Sequence, residues 1–191
     1  MANYQMLGRV IVLLLFWLAP HRMAMAQMNI SVLSQNGANN ETTSNQSGLA
    51  NKADVIQRGN QNKVQISQQN REHEIIIYQE GNGNYTASRQ KGSADGGSIT
   101  NVNQQGEGNR TEADQDGFHN KVMIDQYGNG NQALNSQVGT NNRIELQQEG
   151  SSNMANVLQT GEGNVLSGVN GDPTARQIGS GNILNVIQMG G

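Results

Sequence analysis

The side chains that could do chemistry in this sequence are few and scattered. Two histidines outside the first 26 residues, His73 and His119, lie in different parts of the chain, and no carboxylate pattern surrounds either. General acid–base catalysis and metal binding require such groups to converge, so we expect turn or surface roles for both histidines. The absence of cysteine excludes a disulfide framework and a thiolate metal site.

Glycine-rich stretches offer another route to a ligand, but they lack the remaining parts of a binding site. The run at residues 80–84, EGNGN, has no phosphate-binding lysine and no following helix pattern. A calcium-binding solenoid would repeat G-G-x-G-x-D, whereas aspartate occurs only sporadically here, as at Asp95 and Asp116. The acidic cluster of polysaccharide-cleaving β-helices is also missing. The sequence therefore predicts no enzymatic activity, no cofactor, no metal and no small-molecule substrate.

Amide side chains dominate the composition instead. The 191 residues include 27 Asn and 22 Gln, about a quarter of the chain, and only 34% are hydrophobic. A conventional apolar core is therefore unexpected. The net charge of −3 gives no reason to expect a nucleic-acid partner. Composition alone leaves two alternatives, which are disorder or an ordered fold that uses amides as structure.

An eleven-residue repeat, N-x5-Q-x-G-x-x, decides between them, because a disordered chain would not keep this register through about fourteen units. The repeated glutamines are Gln35, Gln46, Gln57, Gln68, Gln79, Gln90, Gln104, Gln115, Gln126, Gln137, Gln148, Gln159, Gln177 and Gln188. The turn glycines, two residues later, are Gly37, Gly48, Gly59, Gly81, Gly92, Gly106, Gly117, Gly128, Gly139, Gly150, Gly161 and Gly179. The asparagines are Asn29, Asn40, Asn51, Asn62, Asn84, Asn109, Asn120, Asn131, Asn142, Asn153, Asn164 and Asn182.

Each unit predicts one strand of five to seven residues followed by a glycine turn. Within a unit the side chains alternate, so that Asn62, Val64, Ile66 and Gln68 share the core face and Lys63, Gln65 and Ser67 the outer face. Two units form one 22-residue rung of an all-β solenoid, and about seven rungs stack at about 4.8 Å each. Stacking places identical amides above one another in Asn and Gln ladders, as in cross-β structure. A hairpin meander is the competing topology.

The repeat is interrupted twice. Gln90 and Gln104 are fourteen residues apart, and the break covers residues 91–103. Gln159 and Gln177 are eighteen apart, and Asn170 takes a Gln place in this break, residues 165–176, before Pro173. Proline cannot donate to a sheet, so a loop or a damaged edge strand is expected there. In addition, Asn70 and His73 replace the usual glycine and asparagine, which we interpret as tolerated drift rather than functional bulges.

Residues 1–26 are predicted to be a secretory signal. An apolar run at residues 10–19 follows Arg9, and residues 24–26 form an A-x-A cleavage site. The run is too short for the roughly twenty residues of a membrane span. The repeat domain is accordingly predicted to cover residues 27–191.

The ends of the predicted stack favour polymerisation. The repeat begins close to the predicted cleavage site and continues to residue 190 without a capping element, so both ends are expected to be templates for another copy. Terminal loops folding over the ends are the alternative.

Outward residues are charged in the middle units and apolar in the last ones, which predicts a docking surface for another subunit or for the cell surface. Its members are Met154, Leu158, Val165, Val169, Ile183 and Ile187. A face covered by a neighbouring loop or by a lateral fibril contact is an equally good interpretation.

The repeated N-x5-Q-x-G unit resembles the curlin repeat, the module of curli fibre subunits, over residues 29–190. The resemblance implies a functional amyloid, an extracellular fibre of Gram-negative bacteria that serves biofilm matrix and adhesion. It further implies self-association or co-polymerisation with another curlin subunit, and export by a dedicated outer-membrane machinery.

Some features resemble the minor, nucleating subunit of that family more than the major subunit. Asn occupies both half-repeats, Arg and Lys are frequent in the strands, and no Gly-rich leader is expected after cleavage. Two alternatives stay open at this point. One is a major fibre subunit, and the other is a monomeric surface- or ice-binding solenoid, which would need an outward array of one residue type.

Overall fold

The computed structural model describes residues 28–92, 96–166 and 174–190. The predicted signal segment, residues 1–26, lies outside this described part. Within it the chain forms strands and corners and contains no helix, and therefore no helix that could span a membrane. The fifteen strands are β1 Ile30–Asn36, β2 Glu41–Leu49, β3 Lys52–Asn60, β4 Lys63–Arg71, β5 Glu74–Asn82, β6 Tyr85–Lys91, β7 Ile99–Glu107, β8 Arg110–Phe118, β9 Lys121–Asn129, β10 Gln132–Thr140, β11 Arg143–Ser151, β12 Met154–Glu162, β13 Val165–Leu166, β14 Ala175–Ser180 and β15 Ile183–Met189.

Alternate strands belong to opposite sheets, and every pairing is parallel. The odd sheet runs β1-β3-β5-β7-β9-β11, and both β13 and β14 pair with β11 at its end. The even sheet runs β2-β4-β6-β8-β10-β12-β15. A meander would pair neighbouring strands in antiparallel fashion, so the parallel register confirms the predicted β-solenoid. In the described residues each sheet contains seven stacked strand levels. The chain therefore makes six full turns between the first level and the last.

The two interruptions of the repeat are absorbed as extra corner or loop residues without loss of register. Most rungs advance by 22 residues, as between Gln57 and Gln79. The partner of Gln79 is Gln104, a step of 25, which leaves three extra residues between β6 and β7. The partner of Gln148 is Gln177, a step of 29, so seven extra residues separate β13 from β14 in one strand level. Asn170, predicted in a Gln place, lies outside the described residues, and Gln177 fills that level.

The strands are longer than predicted, since most have nine residues rather than five to seven. The difference arises because the parallel pairing continues through the glycine, as in the pair Gly59 and Gly81. Gly59 has φ of +100°, and a Cβ on it would lie 2.0 Å from the carbonyl oxygen of Gly81. The backbones of successive rungs thus touch where only glycine fits. The chain reverses a little later, at a left-handed residue before the asparagine, such as Gln61 with φ of +58°.

The core is thin and is divided into two apolar clusters. One contains Ala53, Val55, Val64, Ile66, Ile75, Ile77 and Val102, and the other contains Ala113, Val122, Ile124, Ala133, Ile144, Leu146, Ala155, Val157, Leu166 and Ala175. Thr86, Ser88, Thr100 and Thr111 occupy the buried positions between them. The alternation predicted for β4 is confirmed, because Val64 and Ile66 are buried while Lys63, Gln65 and Ser67 are not.

Candidate functional site: the amide ladders and the ends of the stack

The repeated glutamines form two continuous ladders, one in each sheet. Each Nε2 donates to the Oε1 of the glutamine on the next level over 2.6–3.0 Å. The odd-sheet ladder is Gln35, Gln57, Gln79, Gln104, Gln126, Gln148 and Gln177. The even-sheet ladder is Gln46, Gln68, Gln90, Gln115, Gln137, Gln159 and Gln188. The predicted Gln ladder is thus present, and it is double.

The second N–H of each glutamine crosses the interior, a contact that sequence reasoning missed. The Nε2 of Gln68 also donates to the backbone carbonyl of Lys52, in the opposite sheet, at 3.0 Å. Buried threonines add donors to the same network, as Thr111 Oγ1 does to the Oε1 of Gln126 at 3.0 Å. A buried amide destabilises the fold only when its polar atoms lack hydrogen-bond partners. Nearly every polar atom of the glutamine ladders has such a partner. The ladders therefore join the rungs along the stack and also the two sheets to each other.

The asparagines form ladders of a different kind from the amide-to-amide pairing predicted. Except in Asn164 and Asn182 of the last level, Oδ1 accepts the backbone N–H of the corner residue on the next level, over 2.9–3.1 Å. Nδ2 donates to backbone carbonyls, and in Asn62 these belong to Arg58 at 3.2 Å and to Gly81 at 2.9 Å. Only some levels add an Asn–Asn side-chain bond, such as Asn182 to Asn153 at 3.0 Å. The Asn columns chiefly satisfy the backbone groups of the corners.

Eleven of the twelve predicted turn glycines have φ between +99° and +121°. The exception is Gly92, at the edge of the first break in the repeat. A Cβ on Gly92 would lie 2.5 Å from the carbonyl oxygen of Gly117 and 3.0 Å from Cε1 of His73, so this glycine admits both the next backbone level and a ring.

The charged side chains on the outer faces pair mainly along the stack. Lys52 contacts Glu74 at 2.8 Å, and Lys63 contacts Glu41 at 3.0 Å, each pair joining adjacent levels of one sheet. The hydrogen bond to Glu74 raises the pKa of Lys52. Such exposed pairs contribute little stability, but opposite charges specify which strands lie side by side. In the described part of the chain, no group of three or more His, Asp or Glu side chains could hold a metal ion.

The predicted docking surface is divided between the two sheets. Met154, Leu158, Ile183 and Ile187 line the outer face of the even sheet, whereas Val165 belongs to β13 in the odd sheet. Val169 lies outside the described residues. Ile183 and Ile187 are 70% and 67% exposed, and Leu158 is 39% exposed. Together with Leu134, Leu158 and Ile187 line a groove of about 580 Å³. The four even-sheet residues are therefore the part of the surface that the fold brings together.

The last strand level leaves ladder groups without partners. The Nε2 of Gln188 donates to the carbonyl of Val165, and its second N–H has no partner among the described residues. Gln177 differs, since its Nε2 reaches the carbonyls of both Met154 and Asn182. At the opposite end, Leu33 and Gln35 of β1 point inward but are only half-buried, because no described strand covers them.

Comparison with known protein families identifies the repeat itself. The family described as the Curlin associated repeat matches residues 119–150, which span β9, β10 and most of β11. No curated protein and no solved structure matches the chain. The matched segment contains two complete units and most of a third, with Gln126, Gln137 and Gln148. It covers 32 of the 191 residues, and this part of the chain is therefore similar to the curlin repeat.

Proposed function

We propose that this chain is a subunit of an extracellular curli-type amyloid fibre, and that it is the minor subunit, which nucleates polymerisation. The observation that carries the proposal is the open edge of the stack at β15. The N–H of Met154, the first residue of β12, donates to the carbonyl of Asn182 on the next level at 2.8 Å. Alternate residues of a strand direct their N–H groups to the same side. The N–H groups of Ile183, Asn185 and Ile187 therefore point away from β12, where the described chain has no further strand.

The geometry is compatible with a second curlin-repeat subunit continuing the stack. In a second copy of this chain, β1 would follow β14 in the odd sheet, and β2 would follow β15 in the even sheet. The free N–H of Gln188 would then face the Oε1 of Gln46 and extend the even-sheet ladder. Leu184 and Val186 would lie on Thr42 and Ser44. The fold already contains this combination of aliphatic and hydroxyl side chains, between β4 and β6.

The nucleating role is supported by the charge pairs of the outer faces. Lys52–Glu74, Lys63–Glu41 and Arg89–Asp114 each join adjacent levels within the chain, which favours correct register before any partner arrives. A chain that orders itself first can serve as the template for a subunit that orders later. Secretion by the signal at residues 1–26, export by an outer-membrane machinery and a place at the cell surface are further parts of the proposal.

The outward positions disfavour a monomeric surface- or ice-binding solenoid. Successive levels of one even-sheet column carry Thr43, Gln65, Ala87, Glu112 and Leu134, so no regular array of one side chain forms.

A seeding experiment tests the proposal. A purified major curlin subunit is incubated with a few per cent of this chain, and thioflavin fluorescence is followed. We expect the chain to shorten the lag, and the variant Asn185→Pro, which lacks the edge N–H, to lose most of this effect. The matched control Asn185→Ala keeps the N–H and should seed like the wild type. Rapid self-assembly of this chain without any seeding of the purified major subunit would instead indicate that the chain is itself a major subunit. Equal seeding by Asn185→Pro and Asn185→Ala would refute templating through β15.

A further inference from the structure

The corner between β4 and β5 contains a histidine in the place of a ladder asparagine. At an ordinary corner, the N–H of Asn62 donates to Oδ1 of Asn40, and the Oδ1 of Asn62 accepts the N–H of Asn84, both at 3.0 Å. Its Nδ2 donates to the carbonyl four residues earlier, that of Arg58. The asparagine side chain at this position is therefore an acceptor and a donor at the same time, and its Nδ2 also donates to the carbonyl of Gly81.

His73 reproduces the acceptor contact and the donor contact to the carbonyl four residues earlier. Its N–H donates to Oδ1 of Asn51 at 3.1 Å, and its Nδ1 faces the N–H of Ser98 at 3.0 Å. Its Nε2 lies 2.8 Å from the carbonyl of Gln69, again four residues earlier. A backbone N–H can only donate and a carbonyl can only accept, so the partners assign one tautomer, with the proton on Nε2 and a lone pair on Nδ1. Only the neutral ring satisfies both partners.

Among the described residues, no charged side chain is hydrogen-bonded to this ring. His73 is 1% exposed, and Gly92 packs against its Cε1 side. The charged residues nearest in the chain and on the neighbouring levels are Arg71, Glu72 and Glu74 on its own corner, Lys52 on the level before and Lys91 on the level after. None of them is hydrogen-bonded to the ring, and Glu74 is engaged by Lys52. Burial lowers the pKa of His73 below its ordinary value.

The corner also lies near the end of the first apolar cluster. The His73–Ser98 bond joins the level of β5 to that of β7, across the three-residue insertion. The first apolar cluster ends at Val102 and the second begins at Ala113, with polar Thr86 and Thr100 in the buried positions between them. Beside this corner, buried Ile75 of β5 is paired with polar Thr100 of β7 rather than with an apolar residue.

We propose that His73 is an acid-sensitive latch that holds the corner at residues 96–98 against the level of β5 at neutral pH and releases this corner when it is protonated. Protonation places an N–H on Nδ1 opposite the N–H of Ser98, so the acceptor becomes a second donor and the contact turns repulsive. The pKa of His73 is lowered in the folded state, so the open state binds the proton more readily. The contribution of the His73 contact to stability is therefore fully present above the ordinary histidine pKa of 6.5. This contribution is lost as the pH falls below that value.

Hydrogen exchange measured by mass spectrometry on the chain at pH 7.5 and pH 5.5 tests the latch. Protection factors, corrected for the intrinsic pH dependence of exchange, are compared for peptides covering residues 96–104 and for a distant corner at residues 141–148. We expect protection of the first peptide to fall by up to about tenfold at the lower pH, which is the limit for one histidine with an open-state pKa of 6.5, with the distant corner unchanged.

Two variants make the test specific. His73→Asn restores the ladder residue and should remove the pH dependence while keeping protection high at both pH values. His119→Asn alters the other histidine beside the same insertion, where a Cβ on Gly96 would lie 2.3 Å from its Nε2, and should leave the pH dependence intact. Equal protection at both pH values in the wild type would overturn the proposal, and so would a pH dependence that persists in His73→Asn.

Discussion

The double role of the ladder glutamines gives a sharp prediction at two neighbouring residues of β4. Gln68 is fully buried and makes three hydrogen bonds, to Gln46 at 2.7 Å, to Gln90 at 3.0 Å and to the carbonyl of Lys52 at 3.0 Å. Gln69, the next residue, points outward and is exposed. Replacing Gln68 by Met keeps most of the side-chain volume but leaves three polar groups without partners.

The magnitude follows from those three groups. A buried donor or acceptor without a partner costs about 1–3 kcal/mol, so three in the lower half of this range total about 3–6 kcal/mol. With a urea dependence of about 2 kcal/mol per molar, the midpoint of unfolding should fall by about 2 M. The matched variant Gln69→Met should change stability by no more than about 0.5 kcal/mol.

The assay is urea unfolding of the two variants and the wild type, followed by circular dichroism at low protein concentration. If Gln68→Met lowers the midpoint no more than Gln69→Met does, the ladder does not hold the rungs together and the reasoning is wrong.

Two further predictions concern single positions. Gly81→Ala should destabilise the chain far more than Gly83→Ala, because the new Cβ would lie 2.0 Å from the carbonyl oxygen of Gly106, whereas nothing lies within 4 Å of a Cβ at position 83. For Gly83→Ala we expect a loss of about 1 kcal/mol from its left-handed backbone alone, and thermal unfolding of both variants measures the difference. Asn135→Val should raise stability by about 1–3 kcal/mol, since neither amide atom of this buried side chain has a partner in the described part of the chain. A lower urea midpoint for the valine variant would contradict this interpretation.

The fold was accessible from sequence because one register repeats along almost the whole chain. Alternation in a stretch such as Val64, Gln65 and Ile66 predicts a strand with one buried face. The spacing of Gln57 and Gln79 then predicts which strands stack. Even the three-residue and seven-residue insertions do not disturb this inference, because the glutamines resume on the far side of each.

Other features depended on contacts that a pattern cannot contain. The bonds of the asparagines go to backbone groups of adjacent corners, and these become neighbours only after the solenoid has closed. The sequence pattern suggests drift at His73, whereas its two ring nitrogens make two of the three contacts that the amide of Asn62 makes. The predicted docking surface is divided because consecutive eleven-residue units lie in opposite sheets. Val165 and Ile183 therefore face opposite sides of the stack. The signal segment and the docking role stay predictions.

The central claim is that this stack is built to be continued by another curlin-repeat chain at its open edges. The most direct measurement is to incubate residues 27–191 as purified protein, and to follow thioflavin fluorescence together with electron microscopy. The account predicts unbranched, dye-positive fibres, and it predicts that their sonicated fragments abolish the lag of a fresh sample. Protein that stays monomeric and dye-negative under these conditions would contradict it.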